Sequence, residues 1–169
     1  MSAHMSSESL LQKLSALQIP HRVFQHRPVF TVDDIALLVE KIPGVDTKNL
    51  FLRDEKRTRY IVVCVRAETR VNLKELGRNL GMKGLTFGSA EEMLELLGLT
   101  PGSVCLFGLI NDTSGRVTGY FDASIDPTAE MQNHPLINTA TVVLAAADME
   151  RFCADIGHRL ERIAIPERG

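Results

Sequence analysis

The sequence predicts a single α+β domain, a mixed β-sheet with helices packed around it. Three observations lead there. A chain of 169 residues, 44% of them hydrophobic, suits one domain with a proper core. Strand pairs and amphipathic helices are mixed without the regular β-α alternation of a doubly wound sheet. Neither a Gly-x-Gly-x-x-Gly nor a Walker loop occurs, so no nucleotide cofactor is expected.

The elements follow in order. Residues 1–6, Met-Ser-Ala-His-Met-Ser, have no apolar stretch and read as a disordered N-terminus or vector remnant, not a secretory signal; the domain is 7–169. Residues 7–18 place Leu10, Leu11, Leu14 and Leu17 on one helical stripe that Pro20 ends. A short strand is expected at 22–25. Thr31 is a candidate N-cap for a helix over 32–41, with Asp33 and Asp34 in its first turn, where the helix dipole favours them.

Two strands, 48–53 and 59–66, flank a charged hairpin loop at 54–58; the second is dense in β-branched residues. Helices over 72–80 and 89–97 end at Gly81 and Gly98. Further strands are expected at 104–109, 117–122 and 139–145, then a helix at 148–157 and a last strand at 162–165. The run 109–115, Leu-Ile-Asn-Asp-Thr-Ser-Gly, is rich in turn formers and is assigned a structural role.

Charge and cysteine content narrow the function. Between Lys41 and Lys83 there are eleven Lys/Arg and five Asp/Glu; the rest of the chain holds eight and sixteen. That split suggests one basic face on an acidic body, a footprint for a polyanion, or simply charged exposed loops. Without Arg-rich tails, sequence-independent DNA binding is not expected. Three cysteines with no Cys-x-x-Cys pair fit a reducing cytoplasm and speak against a disulfide framework or zinc site. No metal is expected, and no run approaches the roughly 18 apolar residues of a membrane span.

Three places can carry chemistry. In Thr47-Lys48-Asn49-Leu50-Phe51-Leu52-Arg53-Asp54, strand alternation puts Lys48, Leu50 and Leu52 on one face and Asn49, Phe51 and Arg53 on the other. On periodicity alone, Lys48 reads as a lysine snorkelling at a sheet edge sooner than as a functional one. In Pro101-Gly102-Ser103-Val104-Cys105-Leu106-Phe107-Gly108, glycines let backbone N–H groups approach a ligand, or make a turn before a buried strand. In Gln132-Asn133-His134-Pro135, the proline biases His134 towards extended geometry. That either points the ring into a pocket or caps a strand.

In this order the three segments resemble the YbaK/ProX family of aminoacyl-tRNA deacylases, relatives of the editing domain of bacterial prolyl-tRNA synthetases. The resemblance is carried by Thr47–Asp54, Pro101–Val104, Phe107–Asp112 and His134–Thr139. It implies hydrolysis of the 3′ ester of a mischarged tRNA(Pro), and the Lys-Asn pair looks most like the branch acting on Ala-tRNA(Pro). Cys-tRNA(Pro), or another small mischarged amino acid, is the alternative.

By resemblance, Lys48 is the essential lysine holding a phosphate or the terminal ribose, Gly102 belongs to the loop facing the scissile carbonyl, and His134 lines the aminoacyl pocket. Thr31, Asn49, Ser103, Cys105, Leu106 and Asn138 are its candidate substrate contacts. The family loop usually has proline where this chain has Leu106, after Cys105. No cofactor is implied. The partners implied are mischarged tRNA(Pro) and, transiently, prolyl-tRNA synthetase, with no membrane or DNA.

Candidate phosphate contacts are Lys56, Arg57, Arg59, Arg70, Lys74 and Arg78. Two rival readings stand beside this one. One is a cysteine hydrolase with Cys105 as nucleophile and His134 as base. The other is a non-catalytic module that docks tRNA or a synthetase.

Overall fold

The computed structural model describes residues 4–28 and 42–169. The expected helix over 32–41 and its cap Thr31 lie outside the described residues.

Helix α1 (Ser7–Ala16) starts at Ser6, whose side chain accepts from the Ser9 N–H. Order begins before residue 7, since the Met5 N–H donates to Asn111 Oδ1 at 2.8 Å. Strand β1 (Arg22–Gln25) follows. Strands β2 (Thr47–Arg53) and β3 (Tyr60–Arg66) form the expected hairpin. Helix α2 (Leu73–Leu80) is capped by Asn72 and ended by the left-handed Gly81. Strand β4 is only Thr86–Phe87. Helix α3 (Ala90–Leu97) carries a full capping box between Ser89 and Glu92, which satisfies two helix N-terminal donors at once.

The expected strand at 104–109 does not form. Leu106–Asn111 is a 3₁₀ segment instead, with Leu106, Phe107, Gly108 and Leu109 all buried. The run is apolar because it is enclosed by helices; Phe107 meets Phe152 edge-on at 5.2 Å. A Cβ on Gly108 would stand 2.6 Å from Leu99 Cδ1, so glycine permits this close packing. Strand β5 (Val117–Asp122), β6 (Glu130–Asn133), β7 (Ala140–Ala145), helix α4 (Ala146–Asp155) and β8 (Glu161–Ile163) complete the chain.

The strands make two sheets where one was expected. One is antiparallel, ordered β1-β7-β6; the other is mixed, ordered β4-β2-β3-β5-β8, with β3-β5 and β5-β8 parallel. A parallel bridge, Val45 to Met131, joins them just before β2.

Strand β3 separates two cores. Tyr60, Val62 and Cys64 face a large core shared with α1, α3, α4 and the 3₁₀ segment. Ile61, Val63 and Val65 face a smaller core beneath α2. Burial on both faces explains why the strand is apolar throughout, with no alternation. Each fully buried Val, Leu or Ile side chain contributes roughly 1.5–3 kcal/mol relative to exposure.

Candidate active site

The site begins with a change of partner along one strand edge. Before β2, Val45 hydrogen-bonds both ways with β6: its N–H to Glu130 O at 2.8 Å and its carbonyl from the Gln132 N–H at 3.0 Å. Thr47 adds its hydroxyl to Gln132 O at 2.7 Å. Further along, Leu52 and Arg53 pair with β4, and Phe51 O accepts from the Gly88 N–H. Lys48, Asn49 and Leu50 lie between these contacts. On that edge they have left β6 and not yet met β4, and among the described residues their backbone has no strand partner there.

The two side chains of the Lys-Asn pair go opposite ways, as alternation requires. Lys48 joins Leu50 in an open groove. Asn49 shares its face with Phe51 of the large core, and its Oδ1 is buried without a hydrogen-bond partner among the described residues.

The β6 strand supplies the next groups. Its alternation puts Met131 and Asn133 inwards, buried, and Glu130 and Gln132 outwards. Asn133 is 3% exposed, and its Oδ1 is likewise unpartnered among the described residues, as is His134 Nδ1. A buried polar atom left unpaired costs about 1–3 kcal/mol; the fourth such atom among the described residues, Arg53 Nε, faces Glu92, whereas these three are open to a ligand's polar groups.

His134 is half-buried and leads into Pro135 and Leu136, the latter at φ 70°. Burial, foremost, pushes its pKa below the usual histidine range; the backbone of Ala140 opposes this and the nearby His26 adds to it. A lowered value favours the neutral ring. His26 is fixed in turn: its Nδ1 lies 2.7 Å from Arg27 O and its Nε2 2.8 Å from Thr141 Oγ1. Asn138 is half-buried in the loop between His134 and β7.

The glycine loop is a tight turn. The Thr100 carbonyl accepts from the Ser103 N–H at 3.0 Å, with Pro101 and Gly102 at the corner and Gly102 at φ 95°. This is the geometry that calls for proline then glycine. Backbone N–H groups of Gly102 and Val104 form no hydrogen bond among the described residues, as donors to a developing oxyanion must. Cys105 is extended and fully buried in the large core. Ser103 is buried, and Leu106 is fully buried in the large core.

Burial pushes the Cys105 thiol up to about 11 and Cys64 up to about 12. A thiol in that state is scarcely ionised at neutral pH and is a poor nucleophile. The described residues contain no cluster of three His, Cys, Asp or Glu side chains able to hold a metal.

The basic residues do not form one patch. Arg57 pairs with Glu92, Arg78 with Glu75, and Arg59 Nη1 donates to Leu80 O at 2.8 Å. Lys56 sits in the hairpin loop. Arg70 and Lys74 alone share the groove of Lys48. Asn133 and His26 escaped the sequence reading. Asn133 gave no local signal, since its strand, β6, has only four residues and was not among the expected strands.

Residues 26–152 match the aminoacyl-tRNA editing domain, and the chain belongs to that family. Among its relatives, it is 30% identical over 161 residues to the prolyl-tRNA editing protein ProX of Acetoanaerobium sticklandii, covering 95% of this chain and 98% of that one. It is 35% identical over 153 residues to prolyl-tRNA synthetase associated domain-containing protein 1 of Danio rerio, covering 89% and 83%. The fold is shared with a crystal structure assigned as a trans-editing enzyme for prolyl tRNA synthetase, at a TM-score of 0.68 and 20% identity over 99% of this chain.

Proposed function

We propose that this protein is a trans-acting editing hydrolase that removes a wrongly attached small amino acid, alanine in particular, from tRNA(Pro). The observation that carries this reading is the trio of buried, unpartnered atoms, Asn49 Oδ1, Asn133 Oδ1 and His134 Nδ1. An aminoacyl ester brings an α-ammonium group, a donor with no acceptor of its own, and two amide oxygens are suitable acceptors for it.

In the reaction, water adds to the ester carbonyl carbon. The resulting oxyanion takes hydrogen bonds from the glycine-loop N–H groups. The carbon–oxygen bond to the ribose then breaks, and the proton released by the water ends on the ribose oxygen. Lys48 holds a phosphate or the terminal ribose as a point charge. His134, neutral, walls the aminoacyl side.

No protein nucleophile is needed, because the ester is already activated and the site acts by positioning. The buried, high-pKa Cys105 favours this route over a thiol mechanism. Selectivity follows from size. A synthetase pocket for proline rejects a smaller side chain by only about 1–3 kcal/mol per missing methylene, so a second pocket that admits alanine and excludes the proline ring completes the sorting.

The test is deacylation of tRNA(Pro) charged separately with Ala, Cys, Ser and Pro, by the wild type and by Lys48→Ala. Rapid loss of Ala only, abolished by the substitution, is expected. Faster loss of Cys or Ser would move the specificity, and no hydrolysis of any ester would end the editing reading.

A further inference from the structure

The groove that holds Lys48 extends well past it. It has a volume of about 460 Å³, and its lining includes Lys48, Leu50, Arg70, Lys74, Phe87 and Arg168. No carboxylate is among the residues that line it. None of the four cations forms an ion pair among the described residues, although cations elsewhere in the same basic stretch do. Like charges gathered in one concavity repel, so the groove is complete only with an anion in it.

Two further features show a built surface. Arg168 is not on a free tail: its N–H donates to Arg70 O at 2.8 Å, Glu167 bridges Val71, and the Asn72 N–H donates to Pro166 O at 2.8 Å. Phe87 is 56% exposed although β4 pairs it with Leu52. The backbone thus presents an aromatic side chain at the rim of a cationic groove.

Unpaired cations beside an exposed aromatic side chain are what a single-stranded nucleic acid requires, charges along its phosphates and a surface on which a base stacks. We propose that this groove binds the unpaired nucleotides at the 3′ end of the substrate RNA, with Arg70, Lys74 and Arg168 on consecutive phosphates and Phe87 under a base. Lys48 is common to this groove and to the proposed editing site. This rests on the reading that the substrate is a charged tRNA. It adds Phe87 and Arg168 to the candidate contacts and sets aside Arg57, Arg59 and Arg78, which lie outside the groove and each have a donor engaged within the protein.

The experiment is fluorescence anisotropy with an uncharged, labelled single-stranded RNA hexamer ending in CCA, titrated over a range of salt. For three or four phosphate contacts, log K should fall against log salt with a slope of about −2 to −3, at roughly −0.7 per contact. Lys74→Gln with Arg168→Gln should flatten that slope by more than one. Phe87→Ala should weaken binding by about tenfold or more, as loss of one stacked base does, and Phe87→Trp should restore it. Arg159→Gln, an exposed cation outside the groove, should change nothing.

An unchanged slope in the double variant, or wild-type affinity in Phe87→Ala with its fold intact by circular dichroism, overturns the proposal. Because the RNA carries no ester, the two readings fail separately. A wild type that binds the hexamer but hydrolyses no charged tRNA ends the editing reading and keeps the groove. Hydrolysis with groove variants that keep the wild-type KM does the reverse.

Discussion

The two ends of β2 carry cations in opposite electrical states. At its C-terminal end, Arg53 and Arg57 both face Glu92, each at 3.5 Å. The Tyr60 hydroxyl donates to the same carboxylate, and Arg116 lies over the Tyr60 ring at 5.7 Å. At its N-terminal end, Lys48 and the other cations of the groove form no ion pair among the described residues. Burial works against the Glu92 carboxylate, yet the hydrogen bonds from Tyr60 and Ser89 and the charge of Arg57 outweigh it and hold its pKa at about 2. One end uses its charges to join α3 to the sheet, and the other leaves them for a partner outside the chain. The sign of a residue says little about its role until its neighbours are known.

That contrast is broken first by Lys48→Met, which keeps length and removes charge. Turnover should fall by about a hundredfold or more, the scale of one lost transition-state contact, while the melting temperature moves by no more than about 2 °C. A large loss of stability instead would put Lys48 with the structural cations. Glu92→Ala should do the opposite. Loss of the capping box alone costs roughly 0.5–2 kcal/mol, or about 2–6 °C in a domain of this size, with turnover at 25 °C close to wild type.

The pH dependence sharpens the same contrast. Glu92 is held well below its ordinary carboxylate value, so its contribution is complete above pH 4.5 and is lost as pH falls from there towards about 2. His134 is also depressed, but from 6.5. The unfolded chain therefore takes up its proton first, and stability should decline as pH drops below about 6.5. Denaturant midpoints measured between pH 7 and pH 5 should show that decline in the wild type and a smaller one in His134→Asn. The smallest expected effect on turnover is that of Cys105→Ala, which should remain within about twofold of wild type. Loss of all activity in a folded Cys105→Ala would bring back the thiol mechanism.

Much of the frame was legible from local chemistry. Gly81 and Gly98 ended their helices, Ser89 and Asn72 began them, and the β2–β3 hairpin stood out by its β-branched run. The 3₁₀ segment did not stand out, because a short enclosed apolar run looks like a strand until something shows what encloses it. Strand β4 has two residues and β6 has four, of which only Met131 is apolar, too few for a period to emerge. The division into two sheets rests on the Val45–Met131 bridge, a contact between distant positions that no local pattern records. For the site, the three segments were visible in order, but the opposite directions of Lys48 and Asn49 acquired meaning only once each had surroundings. Arg168 was invisible as a candidate, since nothing near it in sequence says that it returns to Arg70.

The bridge between the sheets also bears on the order in which the molecule assembles. Lys48, Arg70, Lys74 and Phe87 belong to one continuous stretch whose hairpin closes locally, with Arg53 opposite Tyr60. The sheet that delivers His134 needs β1 to meet β7, Arg22 against Val143, and such distant closure is slow. Most of the cationic groove is therefore expected to exist before the pocket beside it does. A nascent or partly unfolded chain would hold RNA before it could cut an ester, and hydrolysis would be the last property gained on folding and the first lost on heating.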